Sequence, residues 1–159
     1  MAQAKQKPAA APENPPKLDD FLCFAIYSTN LAVNRVYKPL LDELGLTYPQ
    51  YIVLIALYEE DNQTVGGLGD KLFLDSSTLT PLLKRMEAVG HLTRQRDPED
   101  ERQVRVSLTP QGRSVREKGM MSRSSLLNST NFSPAEYEQL REQMVKLRTY
   151  LSDEVRAKP

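Results

Sequence analysis

Apolar residues recur at three- and four-residue spacing from Leu18 onward, at Phe21, Leu22, Ala25, Ile26, Thr29, Ala32, Val33 and Val36. That period predicts an amphipathic helix from about Lys17. Asp19 and Asp20 fall in its first turn, where a negative charge suits the helix dipole. Pro39 predicts a break or kink before a short turn over 39–44, closed by Gly45. Thr47 is the expected N-cap of a second helix, with Pro49 and Gln50 in its first turn. Its run from Tyr51 to Tyr58 is apolar nearly all round and is therefore expected to be buried. Two short helices follow, from about Val65 to Leu72 behind Thr64 and from about Ser76 to Val89 behind Asp75, with Gly90 as the stop. The few residues between them give the spacing of a helix-turn-helix.

The period then changes. Leu92–Arg96 reads as a strand, "DPEDER" as a charged turn, and Gln103 to Leu108 as a second strand. Val104, Val106 and Leu108 alternate onto one face, Arg105 and Ser107 onto the other. A β-hairpin directly after a helix-turn-helix makes a winged helix. Thr109 and Pro110 open a further helix. Ser133 and Pro134 open the last one, with Glu136 completing a capping box. Tyr137, Leu140, Met144, Leu147 and Leu151 form a narrow apolar stripe, which points to helix-to-helix packing, within the chain or between subunits. The expected fold is mainly α with a small β-hairpin wing, a winged helix-turn-helix. Residues 1–16 carry Pro8, Pro12, Pro15 and Pro16 amid Ala, Gln and Lys and are expected to be a disordered tail.

Composition narrows the function classes. The chain has 159 residues, 40% hydrophobic and 26% charged, which suits one compact domain or one subunit of an oligomer. No apolar run approaches the ~20 residues that span a bilayer, and the N-terminus lacks a signal peptide's apolar core. A cytoplasmic protein without a membrane partner is expected. One cysteine cannot make an internal disulfide, and one histidine with one cysteine leaves little for a zinc site. No metal, cofactor or catalytic residue is expected. The formal net charge is zero, but Lys84 to Lys118 holds nine Lys and Arg against six Asp and Glu, a local +3. A basic middle on a neutral chain is compatible with a local DNA-facing surface.

On that surface the second helix of the helix-turn-helix is expected in the major groove. Ser76, Ser77, Thr78 and Thr80 offer short hydroxyls to base edges and phosphates, and Lys84 and Arg85 reach for the backbone. Arg94 and Arg96 on the hairpin join this set. The acidic hairpin tip is awkward beside phosphates. Asp100 and Arg102 share one face of an extended segment, so Asp100 is placed to orient the Arg102 guanidinium for a narrow minor groove. The alternative is a surface ion pair worth ~0–1 kcal/mol. His91, where helix meets wing, is better placed to cap the helix C-terminus as a cation than to hold phosphate. Met86, Met120, Met121 and Met144 read as core filler.

Cys23 has two readings. Free cysteine is among the most buried residue types and is often inert. A cysteine in the first turns of a helix can instead be reactive, because the dipole favours the thiolate. Phe21, Leu22 and Phe24 would then wall an apolar pocket beside it.

The segments "LTYPQY" and "LDSSTLTPLLKRMEAVGHLTRQRDPEDERQVRVSLTPQG" resemble the MarR family, and "FLCFAIYSTNL" with "YKPLLDELGLTYPQY" resembles its organic hydroperoxide resistance regulators. The resemblance spans about Leu18 to Leu151. It implies an obligate homodimer with 17–46 as dimerisation and sensor helix, 47–109 as DNA-binding lobe and 110–159 as C-terminal dimerisation helices. It implies a repressor on a pseudo-palindromic double-stranded DNA operator, with an organic hydroperoxide as inducer and Cys23 as sensor. Tyr37 and Tyr48 of the partner subunit would hydrogen-bond the thiolate, with Tyr27 beside it. Many members carry a second cysteine in the region of Ser122 to Phe132, where this chain has none. Either the protein is of the one-cysteine type, in which a low-molecular-weight thiol captures the sulfenic acid or the sulfur passes to higher oxidation states, or the resolving cysteine has been replaced. Other readings are a repressor of this fold released by a reversibly bound phenolic ligand, a thiol peroxidase, and a structural helical dimer. The peroxidase lacks an arginine beside Cys23, and the structural dimer leaves the basic wing unexplained.

Overall fold

A computed structural model describes residues 15–120 and 126–156, the side chains of 116–120 and Arg156 excepted; the predicted tail falls almost wholly outside this range. The elements run α1 (Leu22–Leu44), α2 (Tyr48–Glu59), β1 (Gln63–Thr64), α3 (Val65–Leu72), α4 (Ser76–Ala88), β2 (Leu92–Arg96), β3 (Val104–Leu108), α5 (Pro110–Met120) and α6 (Pro134–Arg156). This is a winged helix-turn-helix flanked by long terminal helices.

The first helix differs from expectation at both ends. Leu18–Asp20 forms a separate 3-10 turn, and Phe21 is extended before α1 begins. The Lys17 backbone N–H donates to Asp20 Oδ2 at 2.8 Å, so this acid caps the separate turn and not α1. At the other end α1 continues past Pro39 to Leu44 without a break. Pro39 costs one helical hydrogen bond. Closure comes later, because Gly45 takes a left-handed φ of 65° and the Leu46 N–H reaches the Leu41 carbonyl at 2.9 Å. Leu41 and Leu46 are buried beside this cap, so core packing favours the longer helix.

The lobe is built on α2, whose Val53, Leu54 and Leu57 are fully buried. Its start is a capping box, with the Thr47 N–H donating to Gln50 Oε1 at 2.8 Å. Thr64 caps α3 by accepting the Gly67 N–H at 3.0 Å. Asp75 holds the N-cap position of α4 through its carbonyl alone. Leu79, Leu83 and Met86 point α4's apolar stripe into the core. The hairpin pairs Leu92 with Leu108 through Arg96 with Val104, as the alternation predicts. β1 was missed by the sequence reading: it adds an edge strand, pairing Gln63 with Val106 and Thr64 with Arg105. Two residues carry too little pattern to be read as a strand.

The terminal helices pack differently. Leu22, Ile26 and Leu31 on α1 are exposed large apolar residues, as are Leu140, Met144, Tyr150, Leu151 and Val155 on α6. Met144 is thus surface in the chain, unlike Met86. Among the described residues no single helix is long and apolar enough to cross a membrane; α1 and α2 meet that condition only as a pair bent by 75°.

Gly112 locks α5 to the hairpin. A Cβ built there would lie 1.9 Å from the His91 carbonyl oxygen, and Tyr58 donates its hydroxyl proton to the Gly112 carbonyl at 2.5 Å. Gly112→Ala is expected to destabilise the lobe by about 1–3 kcal/mol or more, read as a lowered midpoint in thermal or urea unfolding.

Candidate nucleic-acid interface and sensor cysteine

The core stripe of α4 leaves its opposite row outside. Ser76, Ser77, Thr78, Lys84 and Arg85 are exposed and Thr80 is half-buried. Ser76 and Thr80 line a hollow of about 400 Å³ with Arg94, Arg102 and Gln103. Helix and wing thus bring four of the predicted contacts to one concave face.

At the wing tip the Arg102 Nε and backbone N–H both donate to Asp100 Oδ1 at 3.1 Å. Gln103 Nε2 donates to Asp100 Oδ2 at 3.1 Å. The Arg102 side chain is 92% exposed and Asp100 33%, so the guanidinium projects from a fixed base. The hydrogen bonds from Arg102 and then Gln103 hold the Asp100 carboxyl below the usual carboxylate range. Arg96 is exposed and donates to the Glu101 carbonyl at 3.3 Å. Arg94 is engaged otherwise. Its Nε and Nη2 donate to Glu87 Oε2 at 3.0 and 2.8 Å, and its N–H to Glu87 Oε1 at 3.0 Å. This fork ties β2 to α4, and it lowers the Glu87 pKa chiefly through the side-chain hydrogen bond.

His91 overturns the expectation of a capping cation. It is 7% exposed and its Nδ1 has no hydrogen-bond partner among the described residues. Burial lowers its pKa, which favours the neutral ring. The helix end is closed by backbone, with the His91 N–H on the Met86 carbonyl at 3.0 Å.

Cys23 is the second residue of α1 and is exposed. Phe21 occupies the N-cap without a side-chain hydrogen bond, so the positive end of the helix is open there. Phe21, Leu22 and Tyr27 are exposed and Phe24 is half-buried. Of the predicted pocket residues Leu22 lines an apolar hollow of about 320 Å³ between α1 and α6, with Ile26, Val33, Leu140 and Met144. Tyr37 and Tyr48 lie elsewhere. Their ring centroids are 5.5 Å apart, and Tyr51 stands 6.2 and 6.5 Å from them. Burial, then the neighbouring Tyr48, pushes the Tyr37 phenol up to about 12, and burial raises Tyr48 as well. Both stay neutral donors at cellular pH. Cys23 and Tyr37 are fourteen residues apart on one helix, which at ~1.5 Å per residue is about 21 Å. Within one chain the structure does not bring them together. Among the described residues no cluster of three His, Cys, Asp or Glu is placed to hold a metal.

The depressed Asp100 carboxyl has a signed consequence. Its contribution to wing order is complete above about pH 4, the unfolded value, and is lost as pH falls through the lower folded value. Arg102→Ala is expected to raise the Asp100 pKa toward the free value, measured by carboxyl-carbon NMR titration. An unmoved titration would mean that the pair does not form in solution.

The sequence pattern of the family described as Transcriptional regulator SarA/Rot matches residues 35–118. The chain is 44% identical over 131 residues to the organic hydroperoxide resistance transcriptional regulator of Bacillus subtilis (strain 168), covering 82% of this chain and 89% of that protein. Its fold is similar to that of reduced AbfR bound to DNA, with a TM-score of 0.75 and 33% identity over 87% of this chain and 94% of that one. Overoxidized AbfR bound to DNA matches with a TM-score of 0.70 and 35% identity over 84% and 94%. AbfR is a protein of Staphylococcus epidermidis.

Proposed function

Because the chain belongs to the MarR family of winged helix-turn-helix transcriptional regulators, among the organic hydroperoxide resistance regulators, we propose that it is a homodimeric repressor whose Cys23 is the hydroperoxide sensor. DNA binding by a regulator that is not an enzyme is common to the family; the thiol switch is our reading. The observation that carries it is the position of Cys23. The chain's one thiol is exposed on the first turn of a helix whose apolar face is also exposed.

The dimer follows from that face. A single chain leaves the apolar rows of α1 and α6 in water, at about 25 cal/mol per Å² of surface. A second copy covers them. The helix length supports the same arrangement, since a tyrosine about 21 Å away on the same rod serves only the partner's sulfur. Tyr37 and Tyr48 then donate to the partner's thiolate, with Tyr27 one turn from Cys23 on its own helix.

In the chemical step the thiolate attacks the terminal peroxide oxygen, the S–O bond forms as the O–O bond breaks, and the departing alkoxide takes a proton from water to leave as the alcohol. Sulfur is oxidised by two electrons to sulfenic acid as the hydroperoxide is reduced. A low-molecular-weight thiol then forms a disulfide with Cys23 and releases water. Overoxidized AbfR is bound to DNA in its structure, which supports assigning release here to the bulkier mixed disulfide. Added bulk displaces Tyr37 and Tyr48. Tyr48 opens α2, the central helix of the lobe, so the shift reaches α4 and the wing. Two wings must fit half-sites ~34 Å apart, and a coupling of about 1–3 kcal/mol weakens operator binding substantially. Ser76, Ser77, Thr78, Thr80, Lys84, Arg85, Arg96 and Arg102 carry the DNA contacts. Asp100 orients Arg102, and Arg94 contributes through its clamp on Glu87.

The test uses a duplex selected by the reduced protein from a random-sequence pool. Wild type is expected to release it on cumene hydroperoxide plus a small thiol, while Cys23→Ser stays bound. Release of the serine variant at the wild-type dose would replace the thiol switch with a reversibly bound ligand.

A further inference from the structure

Asp97 is 5% exposed at the base of a wing tip whose other acids face solvent or half-face it. A carboxylate that buried needs a counter-charge and donors. It has both. Arg105 Nε donates to Asp97 Oδ2 at 2.6 Å, and the Glu99 N–H donates to Asp97 Oδ1 at 3.0 Å. The Asp97 backbone N–H in turn reaches the Gln103 carbonyl at 3.0 Å, and the Gln103 N–H reaches the Asp100 carbonyl at 2.8 Å. Asp97 therefore ties together the turn that carries Asp100 and Arg102.

Arg105 is itself anchored. Its Nη1 donates to the Asn62 carbonyl at 2.9 Å. Asn62 has a left-handed φ of 57° at the corner between α2 and β1, and it accepts the Ser107 hydroxyl at 3.3 Å. Asp61 fixes the same corner, taking the Leu108 N–H at 2.9 Å and pairing with Arg113 of α5. The corner is thus part of the rigid lobe, and Arg105 is the link from it to the wing. Arg105 opens onto a polar hollow of about 460 Å³ with Asn62, Gln95 and Ser107. Arg102 opens onto the α4 hollow with Ser76 and Thr80, and the two hollows share no lining residue.

We infer that Arg105 is a positioning residue for DNA recognition, bridging the Asn62 corner and Asp97 so that the wing turn presents Arg102 to the groove. The inference rests on the proposed contact of Arg102 with DNA. A guanidinium suits the task because its fork spans two acceptors in different directions, which an ammonium cannot do with fixed geometry. Arg105 thus acts through Arg102 and not on the duplex itself.

The experiment is a double-mutant cycle on the selected duplex, read by fluorescence anisotropy at a temperature where circular dichroism shows every variant folded. Arg102→Ala and Arg105→Ala are each expected to weaken binding about tenfold. The double variant is expected to bind within about twofold of Arg102→Ala alone, because the second change removes something already lost. Arg105→Lys, which keeps the charge without the fork, is expected to bind like Arg105→Ala, and it carries the cycle should the alanine variant not fold. Hydrogen exchange of the Glu99 and Gln103 amides in the free protein is expected to accelerate in both Arg105 variants. Losses that multiply in the double variant, wild-type binding by Arg105→Ala, or wild-type binding by Arg105→Lys would each overturn the inference while leaving the wing contact standing. A silent Arg102→Ala would overturn both.

Discussion

A helix keeps its own residues apart. Cys23 begins α1 and Tyr37 lies fourteen residues on, in a rod that Pro39 does not interrupt. No rotamer closes about 21 Å, so a hydrogen bond from Tyr37 to a Cys23 thiolate would have to cross between chains. The same helix leaves Leu22, Ile26 and Leu31 exposed, and α6 leaves Leu140, Met144 and Leu151 exposed. The reach of the rod and its exposed apolar face therefore both support the second copy of the chain that we propose. The thiol switch we propose would therefore be a property of the dimer, because one chain does not bring Cys23 and Tyr37 together.

In the switch we propose, the tyrosines are also the link between sulfur chemistry and DNA. Tyr37 belongs to α1 and Tyr48 to α2, and their rings pack against each other and against Tyr51. α2 is in turn the helix whose Val53, Leu54 and Leu57 fill the lobe core. A close-packed core transmits displacement because it has few voids to absorb it. At the far end the lobe meets the wing through Asn62, Arg105 and Asp97, so the tip moves with the lobe. In the switch we propose, rigid linkage at both ends would convert a change at Cys23 into a change of half-site spacing.

Much of this fold was legible because its signals are local. Thr47 with Gln50, Thr64 with Gly67 and Ser133 with Glu136 are short-range caps that announce helix starts, and all three form. The alternation of Val104, Val106 and Leu108 announced β3, and the Asp100–Arg102 pair followed from spacing alone. What was hidden depends on distant partners. Pro39 reads as a break until Leu41 and Leu46 are seen buried beside the Gly45 cap. Two-residue β1 exists only because β3 lies alongside. His91 reads as a cation until its burial is known. Arg105 and Asp97 read as two more charges on a charged hairpin, since nothing nearby in sequence marks Asn62 as the third member. For the proposed sensor, the tyrosines enter only through the family resemblance, and the separation of Tyr37 from Cys23 within one chain needed the unbroken helix.

The most direct test is a mixed dimer of two silent parents, Cys23→Ser paired with Tyr37→Phe/Tyr48→Phe. Each homodimer lacks either the thiol or its donors. In the heterodimer the remaining Cys23 faces the intact tyrosines of the serine-bearing subunit, which restores one complete sensor. The rate of Cys23 oxidation by cumene hydroperoxide, followed by mass spectrometry, is expected to recover to the wild-type rate per thiol in the heterodimer. A rate no faster than that of the double-phenylalanine homodimer would contradict a sensor assembled across two chains.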